Sequence, residues 1–201
     1  IHDHAEMHSY YLHKGSLRLA KERGNAEWIH KTKYPEGWLP VDTYNKNVDS
    51  LAKGLNFDWE TLRKDIIAQG GIRHSVLEAH MPAEASAVAS CATNGIYPMR
   101  EPMVVKGGTR NRIPCFVPES DNAEVMPFYE SAWDIPHKDI TDLYALVQKF
   151  TGQMISADYY FNPANYPNRK RGTKEMLQNL AYATKMGVKT HYYMNTKSGK
   201  D

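Results

Sequence analysis

Apolar residues recur along this chain at two alternating periods, which predicts helices and strands in turn. Residues 58–69 carry Trp59, Leu62, Ile66 and Ile67 at helical spacing, with Asp58 as an N-cap and Gly70 and Gly71 as a stop. Residues 5–23 read as a helix with Met7, Tyr10, Tyr11, Leu17 and Ala20 roughly on one side and Gly24 at its end. Two more helical patterns cover about 122–133 and 138–151, and another runs from 173 to 186 with Met176, Leu177, Leu180 and Ala181 inward and Gly187 to end it. Residues 72–80 are aliphatic in the middle and read as a buried strand. Further strands are expected near 153–161 and over 188–194, and the runs 102–106 and 112–117 flank Gly107 and Gly108 as a β-hairpin or arm. Strands alternating with helices in this way indicate parallel βα units, and three such units are too few to close a sheet. The irregular stretch 25–57, with Trp28, Pro35, Gly37, Trp38 and Pro40, is expected to wrap over a core edge and be held by its aromatics. Residues 162–172 form a loop carrying Pro163 and Pro167.

The stretch 81–95, MPAEASAVASCATNG, sits between the run ending at His80 and a turn rich in Pro and Gly. It reads as a strand delivering the chain into a helix whose open N-terminus receives a phosphate. Pro82 suits a first turn, where its missing N–H has no partner. Ala83, Ala85, Ser86, Ala87 and Ala89 are small enough for an anion to approach the backbone donors closely. The competing reading is a small-residue helix packed tightly against a neighbour. Arg100 is the conspicuous cation of the turn segment 93–100 that follows.

Composition narrows the classes. With 201 residues, 41% of them hydrophobic, the chain is one domain with a real core or a piece of something larger. A net charge of +2, spread along the sequence, argues against a nucleic-acid surface, and the basic cluster at 169–171 reads as a solvated loop. Cys91 and Cys115 are too few for a disulfide framework or a thiolate metal site, and suit a reducing cytoplasm. No run is long enough to span a membrane, and the N-terminus does not look like a signal peptide. The chain begins at Ile1, so residues upstream are expected. His4 and His8 lie one turn apart with Glu6 between them, but the zinc-protease pattern needs Glu directly after the first His, and surface histidines are the expectation.

Two stretches together carry a family resemblance: RHSVLEAHMPAEASAVASCATNGIYPMR at 73–100 and GVKTHYYMNTKSG at 187–199. Both resemble the C-terminal part of the large, catalytic subunit of class I ribonucleotide reductase. The likeness extends weakly over nearly the whole chain, through YYLHKGSLRLAKERG, LPVDTY and QKFTGQMISADYYFNP. The fold this implies is α/β, the chain being one segment that supplies the last strands and helices of a ten-stranded barrel and is incomplete on its own.

The resemblance also implies roles. The Pro-Glu-x-Ser segment that binds the phosphates of a nucleoside diphosphate in the family maps onto Pro82, Glu84, Ala85 and Ser86, with Arg100 matching a phosphate-contacting arginine. A carboxylate repels phosphate, so Glu84 is expected to satisfy helix-start donors or to hold Arg100 or water in place. Ala83 and Ala85 stand where family members often carry Ser or Thr. Each missing hydroxyl removes a hydrogen bond worth roughly 0.5–1.5 kcal/mol net, so backbone amides are expected to carry the binding. Ala87 and Cys91 replace commoner Ser and Asn. Tyr192 and Tyr193 match a pair that carries an oxidising equivalent from a radical on the small subunit to a cysteine in the barrel, Tyr193 nearer the cysteine and Tyr192 nearer the subunit interface. Tyr-Tyr also occurs at 10–11 and 159–160, so the dipeptide alone means packing, and adjacent strand residues face opposite ways unless the strand end is distorted.

The family's thiyl cysteine and electron-supplying cysteine pair would lie upstream, and neither Cys91 nor Cys115 has a matching context. The polypeptide is therefore expected to bind no cofactor directly and to be inactive alone. The metal-tyrosyl radical would sit on the small subunit, and regulatory nucleotides on the N-terminal part of the large one. Expected partners are that N-terminal part, in trans if the subunit is naturally split, the small subunit and a nucleoside diphosphate. The alternative is a non-catalytic α/β module that binds a phosphorylated ligand or a protein.

Overall fold

The computed structural model describes residues 1–107 and 112–197. The regular elements are α1 (His2–Arg23), α2 (Pro40–Thr43), α3 (Trp59–Gln69), α4 (Ala85–Ala89), β1 (Met103–Lys106), β2 (Ile113–Phe116), α5 (His137–Gln148), β3 (Asp158–Phe161), α6 (Thr173–Lys185) and β4 (Tyr193–Thr196). The chain forms two compact units, one of Ile1–Ala79, Asp142–Ile155 and Ala183–Lys189, the other of His80–Thr141, Ser156–Tyr182 and Thr190–Asp201.

In the first unit, α1 and α3 pack around Tyr10, Leu17, Trp59, Leu62, Ile66, Ile72 and Phe150. Helix α1 stops where Gly24 takes φ 81° and donates its N–H to Ala20 O at 2.8 Å. Its buried stripe runs through Glu6, Ser9, Tyr10, His13, Ser16, Leu17 and Ala20, while Met7 and Tyr11, expected inward, are exposed. Polar residues replace them inside because each has a partner: Ser9 Oγ donates to Phe150 O at 2.8 Å, and His13 Nδ1 pairs with Ser9 O at 2.7 Å. Helix α3 is capped as expected, with the Asp58 carboxylate accepting from Thr61 N at 2.9 Å and Gly70 in the left-handed conformation. Ile67 lies off its buried face and is exposed.

Residues 25–57 fold as 3-10 turns around α2, and both tryptophans are exposed rather than holding the wrap. The stretch is held by Leu39, Val41 and Val48 in the interior, and by Asp42, whose carboxylate accepts from Leu39 N and from both terminal nitrogens of Arg63 at 2.7 Å. The expected strand at 72–80 is absent from the described residues. Its backbone bonds are single ones, such as Ala26 N to Ile72 O and Arg73 N to Ser16 O, because helix and loop lie beside it; among the described residues of the stretch His80 alone makes a β-bridge.

In the second unit, β1 and β2 form the expected antiparallel hairpin, Met103 opposite Phe116 and Lys106 opposite Ile113; Gly108 of the expected turn falls outside the described residues. Strands β3 and β4 run parallel, with Asp158 opposite Tyr193 and Phe161 opposite Thr196, and α6 lies in the connection between them, as a βαβ unit requires. β4 begins later than 188–194 would place it. The helix expected at 122–133 is a single 3-10 turn, Met126–Phe128, because Pro127 lacks the donor a longer helix needs. On α6, Met176, Leu177, Leu180 and Ala181 are exposed, not inward, and Ala183 is the buried residue. The described strands form two separate two-stranded sheets in a mixed helix and strand fold, with no closed barrel among the described residues.

Candidate functional site

Every residue expected to bind phosphate or to relay the radical falls in the second unit. Helix α4 is short, and Pro82 lies ahead of it rather than in its first turn. The approach to the helix is clamped by Asn94, whose backbone oxygen accepts from Ala83 N at 2.7 Å and whose side-chain oxygen accepts from Glu84 N at 2.6 Å. Asn94 had stood out in the sequence only as part of a turn; its Asn-Gly context is the signal that marks it. Glu84 adopts φ 49° and ψ −117°, a backbone state that L-residues rarely hold and that costs on the order of 1–3 kcal/mol. The clamp on the two successive amides that lead into this backbone turn is what maintains it.

Ser86 N donates to Ala83 O at 3.0 Å, so of the two amides expected to meet an anion, that of Ser86 is already engaged. The exposed Ala85 keeps its N–H without a partner among the described residues, and the Ser86 side chain is also exposed. The Glu84 carboxylate does not cap the helix. Its negative charge instead reaches the Tyr192 phenol.

Tyr192 and Tyr193 meet edge to face, with ring centroids 4.4 Å apart at an interplanar angle of 62°. This is possible because Tyr192 precedes β4: its N–H donates to Ala157 O at 2.8 Å, and alternation of side chains begins only at Tyr193. Both rings are about half exposed, at 48% and 55%. The Tyr192 phenol is pushed above its ordinary pKa, first by its side-chain interaction with Tyr193, then by burial and by the carboxylates of Asp158 and Glu84. Asp158, opposite Tyr193 on β3, is itself pushed up by burial, opposed by the Tyr193 N–H and by the Arg100 guanidinium. Arg100 also lowers the Tyr160 phenol against a much larger effect of burial and of Tyr97. The Tyr160 ring is set by Tyr97, with centroids 5.2 Å apart, and by Trp133 at 5.1 Å and 88°.

Asp158 and Tyr160 were missed as site residues. Their alternate spacing in a short strand places them on one face, and both feel the positive charge of Arg100. No single feature of the sequence reports this, because Arg100 and Asp158 are brought together only by the fold. Elsewhere, His2, Asp3 and Glu6 present ligand atoms within 4.8 Å of one another, but the Glu6 oxygens already accept from Asn56, Phe57 and Trp59.

The model of the ribonucleotide reductase barrel domain matches residues 1–121 and 117–194. The chain belongs to the ribonucleotide reductase barrel family. It is similar to the ribonucleoside-diphosphate reductase subunit alpha of Haemophilus influenzae, with 43% identity over 98% of this chain and 26% of that protein. The ribonucleoside-diphosphate reductase 1 alpha subunits of Escherichia coli and Salmonella typhimurium are 40% and 39% identical over all of this chain, again across 26% of each. The chain thus spans about a quarter of the length of the reductase alpha subunits it matches. Among the described residues, no helix is long and apolar enough to cross a membrane.

Proposed function

We propose that this chain is the C-terminal segment, over its whole 1–201, of a class I ribonucleotide reductase catalytic barrel, acting in the reduction of ribonucleoside diphosphates to deoxyribonucleoside diphosphates. The observation that carries the reading is the Tyr192 and Tyr193 contact at 4.4 Å, in a unit that also holds Glu84, Arg100 and the start of α4. Two phenols this close can exchange one electron and one proton together. A radical on Tyr192 takes a hydrogen atom from Tyr193, leaving Tyr192 as a neutral phenol and Tyr193 as the radical. Neither ring has to carry a net charge.

The substrate diphosphate would be held by the Ala85 N–H, the Ser86 hydroxyl and the Arg100 guanidinium, with the electron-donating cysteines and the thiyl cysteine supplied by the remainder of the barrel. Arg100 suits phosphate because its planar fork can pair with two oxygens at once. Pro82 and Glu84 shape the approach. The radical cofactor belongs to the small subunit and the regulatory nucleotides to the N-terminal part of the large one, so this segment's share is half a substrate site and the last tyrosines of the relay.

In the assembled reductase, Tyr193→Phe should abolish turnover of ribonucleoside diphosphates while leaving subunit assembly and substrate binding unchanged. Near-normal activity of that variant would sink the relay assignment.

A further inference from the structure

The two cysteines, dismissed in the sequence as too few to form a site, lie together. Cys91 directly follows the last residues of α4, and Cys115 is on β2; both Sγ atoms approach the same acceptor, Val88 O, at 3.9 and 3.8 Å. Cys115 is buried, whereas Cys91 is half-buried, and both line a small cleft of about 60 Å³. Lys106 reaches the same spot from β1, donating its ammonium to Ala87 O at 3.0 Å and to Ala92 O. Cys91 stands at φ 51°, a conformation that glycine or asparagine adopts readily and cysteine does not. Local backbone preference is therefore no reason for a thiol at this position.

We infer that Cys91 and Cys115 form a peroxide-reactive dithiol, in which Cys91 is the sulfur oxidised first and Cys115 the sulfur that resolves it into a disulfide. The cleft that both cysteines line has room for a molecule of hydrogen peroxide. The Cys91 thiolate attacks one peroxide oxygen and the O–O bond breaks. Cys91 becomes a sulfenic acid, and the departing hydroxide takes a proton to leave as water. The Cys115 sulfur then gives up its proton and attacks Cys91 sulfur, the S–O bond breaks, and a second water leaves. Two thiols and one peroxide thus yield one disulfide and two waters, the two sulfurs supplying the two electrons.

The order of attack follows from environment. Burial holds the Cys115 thiol above its ordinary pKa, contact with Cys91 adds to this, and Lys106 opposes it. A protonated, enclosed Cys115 is a poor first nucleophile and is well placed as the second. The resulting bond would tie the end of α4 to the hairpin, a link that a thiol reductant reverses.

The test uses the intact protein that carries this segment, assembled with its partners. It is exposed to graded hydrogen peroxide, its remaining thiols are blocked, and it is digested for peptide mass mapping. A peptide pair joined through Cys91 and Cys115 should appear at low peroxide and vanish with dithiothreitol. Cys115→Ser should trap Cys91 as a sulfenic acid that reacts with dimedone. Should that variant fail to fold, Cys91→Asn, which suits the left-handed position, should leave Cys115 unoxidised over the same range. Recovery of both cysteines as free thiols, oxidation of Cys115 in the absence of Cys91, or pairing of either with another cysteine would overturn the inference. None of these outcomes bears on the tyrosine relay, which is read by turnover.

Discussion

Single residues inside the first unit show how polar groups survive burial. The Glu6 side chain is fully buried and accepts from Asn56 N at 2.7 Å, from Phe57 N at 3.2 Å and from Trp59 Nε1 at 3.0 Å. Replacing it by Gln leaves an amide N–H₂ facing donors. Glu6→Gln should lower unfolding free energy by about 1–2 kcal/mol, measured by urea denaturation, because the remaining oxygen can still serve the three donors at Oε1 while the new N–H₂ faces the Asn56 amide groups that Oε2 accepted from. His13 is held neutral by the same logic. Burial depresses its pKa from 6.5 to about 4, against the opposing effect of its bond to Ser9 O. A folded pKa below the unfolded one gives stability that is complete above pH 6.5 and is lost as pH falls through about 4. Between pH 7 and pH 5 this should remove about 2 kcal/mol. His13→Gln should flatten that dependence when urea midpoints are compared at the two pH values, and an unchanged slope would exclude His13 as the acid-sensitive group.

At the scale of elements, two glycines separate backbone need from mere tolerance. Gly187, just past α6, takes φ 85°, and a Cβ there would lie 2.6 Å from Asn45 Cβ. Gly187→Ala should therefore destabilise by about 1–3 kcal/mol through strain and overlap. Gly15, in the middle of α1, has open space around it and no unusual φ. Gly15→Ala should stabilise by roughly 0.5–1 kcal/mol, the ordinary difference in helix propensity. Thermal denaturation of the two variants side by side tests both signs. Elements were legible in the sequence where local chemistry decides them: the Asp58 cap, the glycine stops and the hairpin. They were illegible where a long-range partner decides. The run at 72–80 has strand composition but, among the described residues, no more than a single β-bridge at His80, and the α6 stripe of Met176, Leu177 and Leu180 has helical periodicity but faces solvent.

For the whole molecule, the proposed function predicts that a segment matching a quarter of its relatives' length, with exposed apolar residues on α6 and on both hairpin strands, is stabilised by further reductase polypeptide packed against it. Purified under native conditions, it should be recovered joined to, or tightly complexed with, a polypeptide carrying the missing cysteine motif. A stable, soluble, lone monomer would favour the non-catalytic binding module instead.

Sequence by itself determined the family, the caps and glycine stops of the helices and the strand–helix–strand order of β3, α6 and β4, because motif identity and short-range periodicity are properties of neighbouring residues. Only the tertiary structure decided that the two tyrosines meet at 4.4 Å, that the Arg100 charge acts on Asp158, that Asn94 holds the strained Glu84, and that Cys91 and Cys115 share one carbonyl. For the tyrosines the physical reason is that β4 starts only at Tyr193, which periodicity does not report; for the other pairs it is separation along the chain, since partners far apart in sequence leave no periodic trace and come together only when the backbone closes on itself.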